Sequence, residues 1–190
     1  MADQSRLILD PRATADIVER GAELAGWPKV LEDPREGTRP HRMAWDGPWE
    51  GLQVFYVDDH NIKVPYLIIV GADAEQAKDE VMESLPSYSI DSILADALEA
   101  GDSEAKKTSI RRLAVLGAAT ETDPNILAIF DAAMLDPDPE VRRLAAGATL
   151  YPAWREFEPR LELLAAKDED QSVRERAAKA LATLRQHHWS

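Results

Sequence analysis

Two similar stretches in the second half of the chain decide the fold: Asp136-Pro-Asp-Pro-Glu-Val-Arg-Arg-Leu-Ala-Ala146 and Asp168-Glu-Asp-Gln-Ser-Val-Arg-Glu-Arg-Ala-Ala178. The second stretch repeats the first at a spacing of 32 residues, with both aspartates, the valine, the first arginine and the alanines in register. Repetition at such a period is typical of chains built from stacked supersecondary units. The sequence therefore predicts a series of related units in this half of the protein.

Each copy predicts a turn followed by a helix. Asp138 can accept hydrogen bonds from the free N–H groups at a helix start, and Pro139 suits the first helical position. Asp170 can cap the second copy in the same way. A further helix precedes each copy, at about 124–135 and 154–167, so the units are predicted to be helical hairpins at about 88–118, 123–151 and 153–186. The apolar residues of the first copy recur at the spacing of one helix face: Val141, Leu144, Ala145 and Ala148.

This pattern resembles HEAT repeats, and most closely the short bacterial HEAT-like repeats of the phycobilisome-lyase type. The resemblance rests on Asp-x-Asp-Pro-Glu-Val-Arg-x-x-Ala-Ala at 136–146 and Asp-x-Asp-x-x-Val-Arg-x-x-Ala-Ala at 168–178. Residues 110–114 look like a more degenerate earlier copy, 31 residues before the valine of the first. The resemblance implies that the turn aspartate and the helix arginine tie adjacent repeats together, here through Asp136, Arg142, Asp168 and Arg174.

The first half of the chain shows strand signals. Residues 52–57 and 62–70 are rich in β-branched and aromatic side chains, and 41–45 is a shorter candidate. Helices are predicted at 12–26 and from Asp73, whose spacing to Gln76 suits a capping box. We therefore expect a mostly α protein: a HEAT-like α-solenoid of about three hairpins at 87–190, with a small α+β domain at 1–86.

Charge and composition restrict the partners. The 190 residues carry a net charge of −13 and no cysteine, which leaves out disulfides and thiolate metal sites. The acidic balance disfavours nucleic acid and anionic membranes, and it favours a protein partner with a basic patch. No stretch approaches the roughly 18 apolar residues of a membrane span, so the expected location is the cytoplasm.

The sequence predicts binding rather than catalysis. It holds no phosphate loop, no G-x-S-x-G elbow and no cysteine nucleophile, and it suggests no metal or cofactor. We expect a non-enzymatic scaffold that binds a protein on the concave face formed by the second helices of the hairpins. Trp49, in a loop rich in proline and glycine, is a further candidate contact, because exposed aromatic residues supply much interface energy. The candidate residues of the face are Arg112, Arg143, Arg176 and Lys179.

Two alternatives remain at this point. The resemblance to bilin lyase repeats implies a possible role in handling a tetrapyrrole or similar ligand in an apolar cleft. The residues suspected for that cleft are Trp45, Tyr56, His60 and Tyr66. The other alternative is an acidic, compact protein of the immunity or inhibitor type.

Overall fold

The chain divides into two compact units, residues 1–89 and 90–190. The structure, a computed structural model, describes residues 4–34, 36–37, 39–47 and 49–188, with the side chains of His187 and His188 left out. The first unit is built on a sheet and the second on helices. Each unit is described by itself below.

One antiparallel sheet is the centre of the first unit. Over the described residues it has six strands in the spatial order β2-β3-β4-β5-β1-β6. The strands β2 to β5 are neighbours in sequence and in space, whereas β1 lies between β5 and β6, with Leu7 opposite Leu67. The bounds are β1 Gln4–Leu9, β2 Lys29–Asp33, β3 His41–Asp46, β4 Gln53–Asp59, β5 Val64–Val70 and β6 Ser87–Tyr88.

Two helices, α1 (Ala15–Leu24) and α2 (Ala74–Ser84), contribute apolar residues to a core on one face of this sheet. Because side chains alternate along a strand, every second residue of β1, β3, β4 and β5 enters this core. Asp73, before α2, has a left-handed backbone and makes no side-chain cap, so the predicted capping box is wrong. Core residues include Leu7, Leu9, Val18, Ala22, Met43, Trp45, Val54, Tyr56, Leu67, Ile69, Ala77 and Val81.

The predicted fold class, a mostly α solenoid with a small β domain, is wrong. With 53% helix, 18% strand and an antiparallel sheet as a full structural centre, the protein is an α+β fold. The strands at 41–45, 52–57 and 62–70 are confirmed as β3, β4 and β5. The prediction missed β1, which pairs with the distant β5, β2, which lies in a stretch broken by proline and glycine, and β6, which has two residues.

The helices of the second unit form contacting pairs in sequence order: α3 with α4, α5 with α6, and α7 with α8. We call α4, α6 and α8 the second helices. They lie side by side, because α6 contacts both α4 and α8. The bounds are α3 Ile90–Glu99, α4 Ser103–Gly117, α5 Pro124–Ala133, α6 Pro139–Ala148, α7 Glu158–Lys167 and α8 Gln171–His188.

Aspartate caps start the second helices. The carboxylate of Asp102 accepts a hydrogen bond from Ala105 N, that of Asp138 from Glu140 N, and that of Asp170 from Ser172 N and Val173 N. The predicted caps at Asp138 and Asp170 are confirmed. The fourth residue after each cap is a cation, and these three cations are Lys106, Arg142 and Arg174.

Candidate functional site

Arg142 joins the second helical hairpin to the third. Its Nε and Nη2 atoms donate to the two carboxylate oxygens of Asp168, each at 2.9 Å. Its Nη1 atom donates to the carbonyl oxygens of Asp136 and Pro137, at 2.8 and 3.1 Å. The paired side chains are only 8% and 4% exposed. The turn before α6 therefore fixes the guanidinium, which makes a bidentate hydrogen bond to the aspartate of the next hairpin.

Lys106 joins the first hairpin to the second in the same way. Its Nζ atom lies 2.7 Å from the Oδ2 atom of Asp136. We call Lys106–Asp136 and Arg142–Asp168 the inter-hairpin bridges. The first hairpin therefore aligns with the second at a spacing of 36 residues. The predicted alignment of 110–114 with the first copy, at a spacing of 31 residues, is wrong by five residues, because it followed the arginines rather than the cap.

The bridges hold both aspartates in their charged form. Hydrogen bonding to Arg142 keeps the pKa of Asp168 below its ordinary value, despite the opposing effect of burial. Burial acts to raise the pKa of Asp136, but the hydrogen bonds from Lys106 and from the N–H of Asp138 outweigh it and lower the pKa. The bond to Asp168 raises the pKa of Arg142. Both aspartates of the bridges are therefore charged at neutral pH.

The second helices carry further cations on a different face, where Arg176 and Lys179 are exposed and Arg111 is half-buried. A Cβ added at Gly147 of α6 would lie 2.1 Å from the Nε atom of Arg176, so the Arg176 guanidinium rests on α6 where no side chain intervenes. Arg111 occupies the position of α4, nine residues after the cap, that Gly147 occupies in α6 and Lys179 in α8. We call Arg111, Arg176 and Lys179 the cationic surface. None of the three has a carboxylate partner among the residues that the structure describes.

Some of the predicted contact residues are exposed, and others are paired or packed within the fold. Arg176 and Lys179 belong to the cationic surface, and Arg143 is exposed on α6 but pairs with Glu140. Arg112 is largely covered, and its Nη1 atom lies 2.8 Å from the Asp96 carboxylate of α3. Trp49 packs against the core of the sheet unit. Sequence reasoning missed Arg111, whose signal was its fixed distance from the Asp102 cap.

The four residues suspected for a ligand cleft are not brought together. Trp45 and Tyr56 are buried in the core between the sheet and its helices. Tyr66 points to the opposite side of β5 from the core residue Leu67, and the Arg6 guanidinium lies 5.6 Å from its ring centre. His60 is exposed in the turn between β4 and β5. A site formed by these side chains would need a different packing of the sheet.

A separate apolar groove of about 660 Å³ lies within the helical unit, between α3, α4 and α5. Leu94 and Leu98 form one wall, and Leu98 is 78% exposed. The bridge between Lys106 and Asp136 lies at its polar end. Ser109, 4% exposed, also lines the groove, and its hydroxyl makes no hydrogen bond to another described residue. The volume and the mostly apolar lining fall within the range found for small-molecule sites.

Further properties of the described residues bear on the kind of site. Their histidine, aspartate and glutamate side chains form no group of three or more that could hold a metal ion. No helix in the described part of the chain has the length and apolarity needed to cross a membrane. No protein-family model matches the chain, and no curated protein or solved structure matches it either. The resemblance to HEAT-like repeats therefore rests on the repeat residues themselves.

The first prediction compares two adjacent arginines. Arg142→Ala should lower the free energy of unfolding by roughly 3–5 kcal/mol, because it leaves the buried Asp168 carboxylate without its cation. Arg143→Ala removes an exposed ion pair with Glu140 of the same helix, and it should change the free energy of unfolding by less than about 0.5 kcal/mol. Urea unfolding of both variants measures the difference. Equal losses would contradict the structural role assigned to Arg142.

The second prediction concerns pH. The pKa of folded Asp168 lies below its ordinary value of 3.8, so the unfolded chain takes up this proton first as the pH falls. The bridge should stabilise fully above about pH 5, and lose its contribution as the pH falls through 3.8 and below. The gap in unfolding free energy between the wild type and Asp168→Asn should therefore narrow between pH 6 and pH 3. Glu156→Gln, at an exposed position, is the matched control, and a gap for Asp168→Asn that stays constant would contradict the prediction.

Proposed function

We propose that the protein is a non-enzymatic, cytoplasmic module that binds another protein through the cationic surface of its helical unit. One observation carries the proposal. Arg111, Arg176 and Lys179 have no carboxylate partner among the described residues, although the chain has 35 acidic residues and a net charge of −13. These cations are left for an external partner, while most neighbouring cations are used within the fold.

The charge of this surface favours an acidic segment as the partner. Net charge alone favours a basic partner, but salt screens charges beyond about 8–10 Å under physiological conditions. The charges within the contact area therefore decide whether an acidic or a basic partner is preferred. The Arg176 guanidinium lies over Gly147 of α6, where no side chain intervenes. An acidic helix or extended peptide could contact Arg176 and Lys179, which are both exposed and three residues apart on α8.

The repeat architecture supports a binding role. The inter-hairpin bridges keep α4, α6 and α8 side by side, which makes one continuous surface from residues far apart in sequence. The residues that carry the resemblance to HEAT-like repeats, Asp136, Arg142 and Asp168, are the ones in these bridges. Repeat units with this kind of stacking commonly present extended binding surfaces.

The third prediction uses a fluorescein-labelled glutamate-rich peptide as a defined acidic probe. Binding measured by anisotropy should weaken as NaCl rises from 50 to 300 mM, because the contacts are between exposed charges. The double variant Arg176→Gln/Lys179→Gln should weaken binding roughly threefold to tenfold at the lower salt concentration.

Arg160→Gln/Arg185→Gln is the matched control, because it removes the same charge from two arginines that are already ion-paired in the structure. It should bind within about twofold of the wild type. Equal losses in the two variants would mean that only net charge matters, and no binding at all would reject the proposed surface. The alternative of an acidic inhibitor-type protein makes a different prediction, because such a protein would bind its target through its acidic residues and would not need Arg176 and Lys179.

A second candidate function is binding of an apolar or tetrapyrrole-like ligand in the groove between α3, α4 and α5. The observation in its favour is the apolar space of about 660 Å³ with the Ser109 hydroxyl on its lining. A largely apolar wall with a single hydroxyl suits a flat, mostly apolar molecule.

The fourth prediction tests this candidate. Titrating the protein into a tetrapyrrole should change the absorbance spectrum of the pigment with a saturable one-to-one profile. Ala128→Trp should abolish the change, because the exposed Ala128 lines the groove and an indole there would fill it. Ala166→Trp, at an exposed position of α7 outside the groove, should bind as the wild type does. A flat titration of the wild type would reject the candidate.

A further inference from the structure

Arg174 is held like Arg142, but it has no aspartate to bind. Its Nη1 atom donates to the carbonyl oxygens of Asp168 and Glu169, at 2.7 and 3.0 Å. These bonds repeat those of Arg142 Nη1 to the carbonyls of Asp136 and Pro137. In Arg142 the remaining atoms, Nε and Nη2, hold the next aspartate. In Arg174 the same two atoms meet no carboxylate of the described residues.

The helix face beside Arg174 is open as well. On α6, Ala146 and Thr149 follow Arg142 at i+4 and i+7, and both are fully buried. The equivalent residues of α8 are Ala178, which is exposed, and Leu181, which is half-buried. The face of α6 that carries Arg142 is covered by the third hairpin, whereas the corresponding face of α8 is not covered to the same extent.

We propose that this face of α8, formed by Arg174, Ala178 and Leu181, docks a helical hairpin of another protein through an aspartate at its turn. The Arg174 guanidinium would bind both oxygens of that aspartate, as Arg142 binds Asp168. Ala178 and Leu181 would be covered by the incoming helix. The occupant is acidic at one defined position and apolar beside it.

The geometry points to a different protein rather than to a second copy of this chain. In the second and third hairpins the bridging aspartate stands two residues before the cap, and in the first hairpin that position is Ala100. Asp136 and Asp168 of a second copy are already bound by its own Lys106 and Arg142. This inference does not depend on the cationic surface, because it uses another face of α8.

The fifth prediction tests the site with a synthetic peptide of residues 153–188, whose Asp168 is free to bind, and the full-length protein. Calorimetry should show saturable one-to-one binding. An Asp168→Asn peptide should bind at least about fivefold more weakly, because a neutral amide cannot replace a carboxylate against a guanidinium. With the Arg174→Gln protein, the two peptides should bind within about twofold of each other.

Lys179→Gln is the control, since it removes the same charge from the same helix and should leave the preference for the aspartate peptide intact. Arg174→Lys keeps the charge but cannot make the bidentate hydrogen bond. It should therefore show a reduced preference for the aspartate peptide over the Asp168→Asn peptide, and this holds as a test even if Arg174→Gln unfolds. Absence of saturable binding would overturn the inference. It would also be overturned by a preference that persists in both Arg174 variants, which would mean that the peptide exchanges with the protein's own third hairpin.

Discussion

The salt bridge between Arg142 and Asp168 is the interaction on which the helical unit depends. It lies almost entirely out of water, where an unpaired charge would cost several kcal/mol. The carbonyl oxygens of the preceding turn hold the guanidinium in place before the carboxylate meets it. This arrangement ties the rotation of each second helix to the turn of the next hairpin. Packing of small side chains such as Ala146 between α6 and α8 then follows at a fixed register.

The bridges also determine which charges remain for the proposed binding. Asp136 and Asp168 are used inside the unit, so they contribute little to the acidic surface that the composition suggests. The helical periodicity that points one set of cations into the bridges points Arg176 and Lys179 to another face. Gly147 matters here because any side chain at that position would occupy the space of the Arg176 guanidinium. The residues that stabilise the unit and those proposed to bind a partner thus occupy neighbouring positions of the same helices.

Local rules predicted much of this from sequence, and non-local pairing explains what they missed. The caps at Asp138 and Asp170 follow from residue type and spacing alone. Strand β1 pairs with β5 across more than fifty residues, so no turn signal next to Leu7 announces it. The alignment of the first hairpin failed because Lys106, and not an arginine, makes its bridge. The apolar groove was not predicted either, since exposure of Leu98 depends on how α3 packs and not on its own periodicity.

The most direct test of the central claim is a double-mutant cycle on Arg142 and Asp168, measured as unfolding free energies in urea. The cycle compares Arg142→Ala, Asp168→Ala and the double variant with the wild type. If the bridge joins the hairpins as described, the losses of the two single variants should add up to more than the loss of the double variant. The difference, which is the coupling energy, should be roughly 1.5–3 kcal/mol, the range for hydrogen bonds to charged groups. Losses that add within about 0.5 kcal/mol would mean that the two side chains act independently, and would contradict the account.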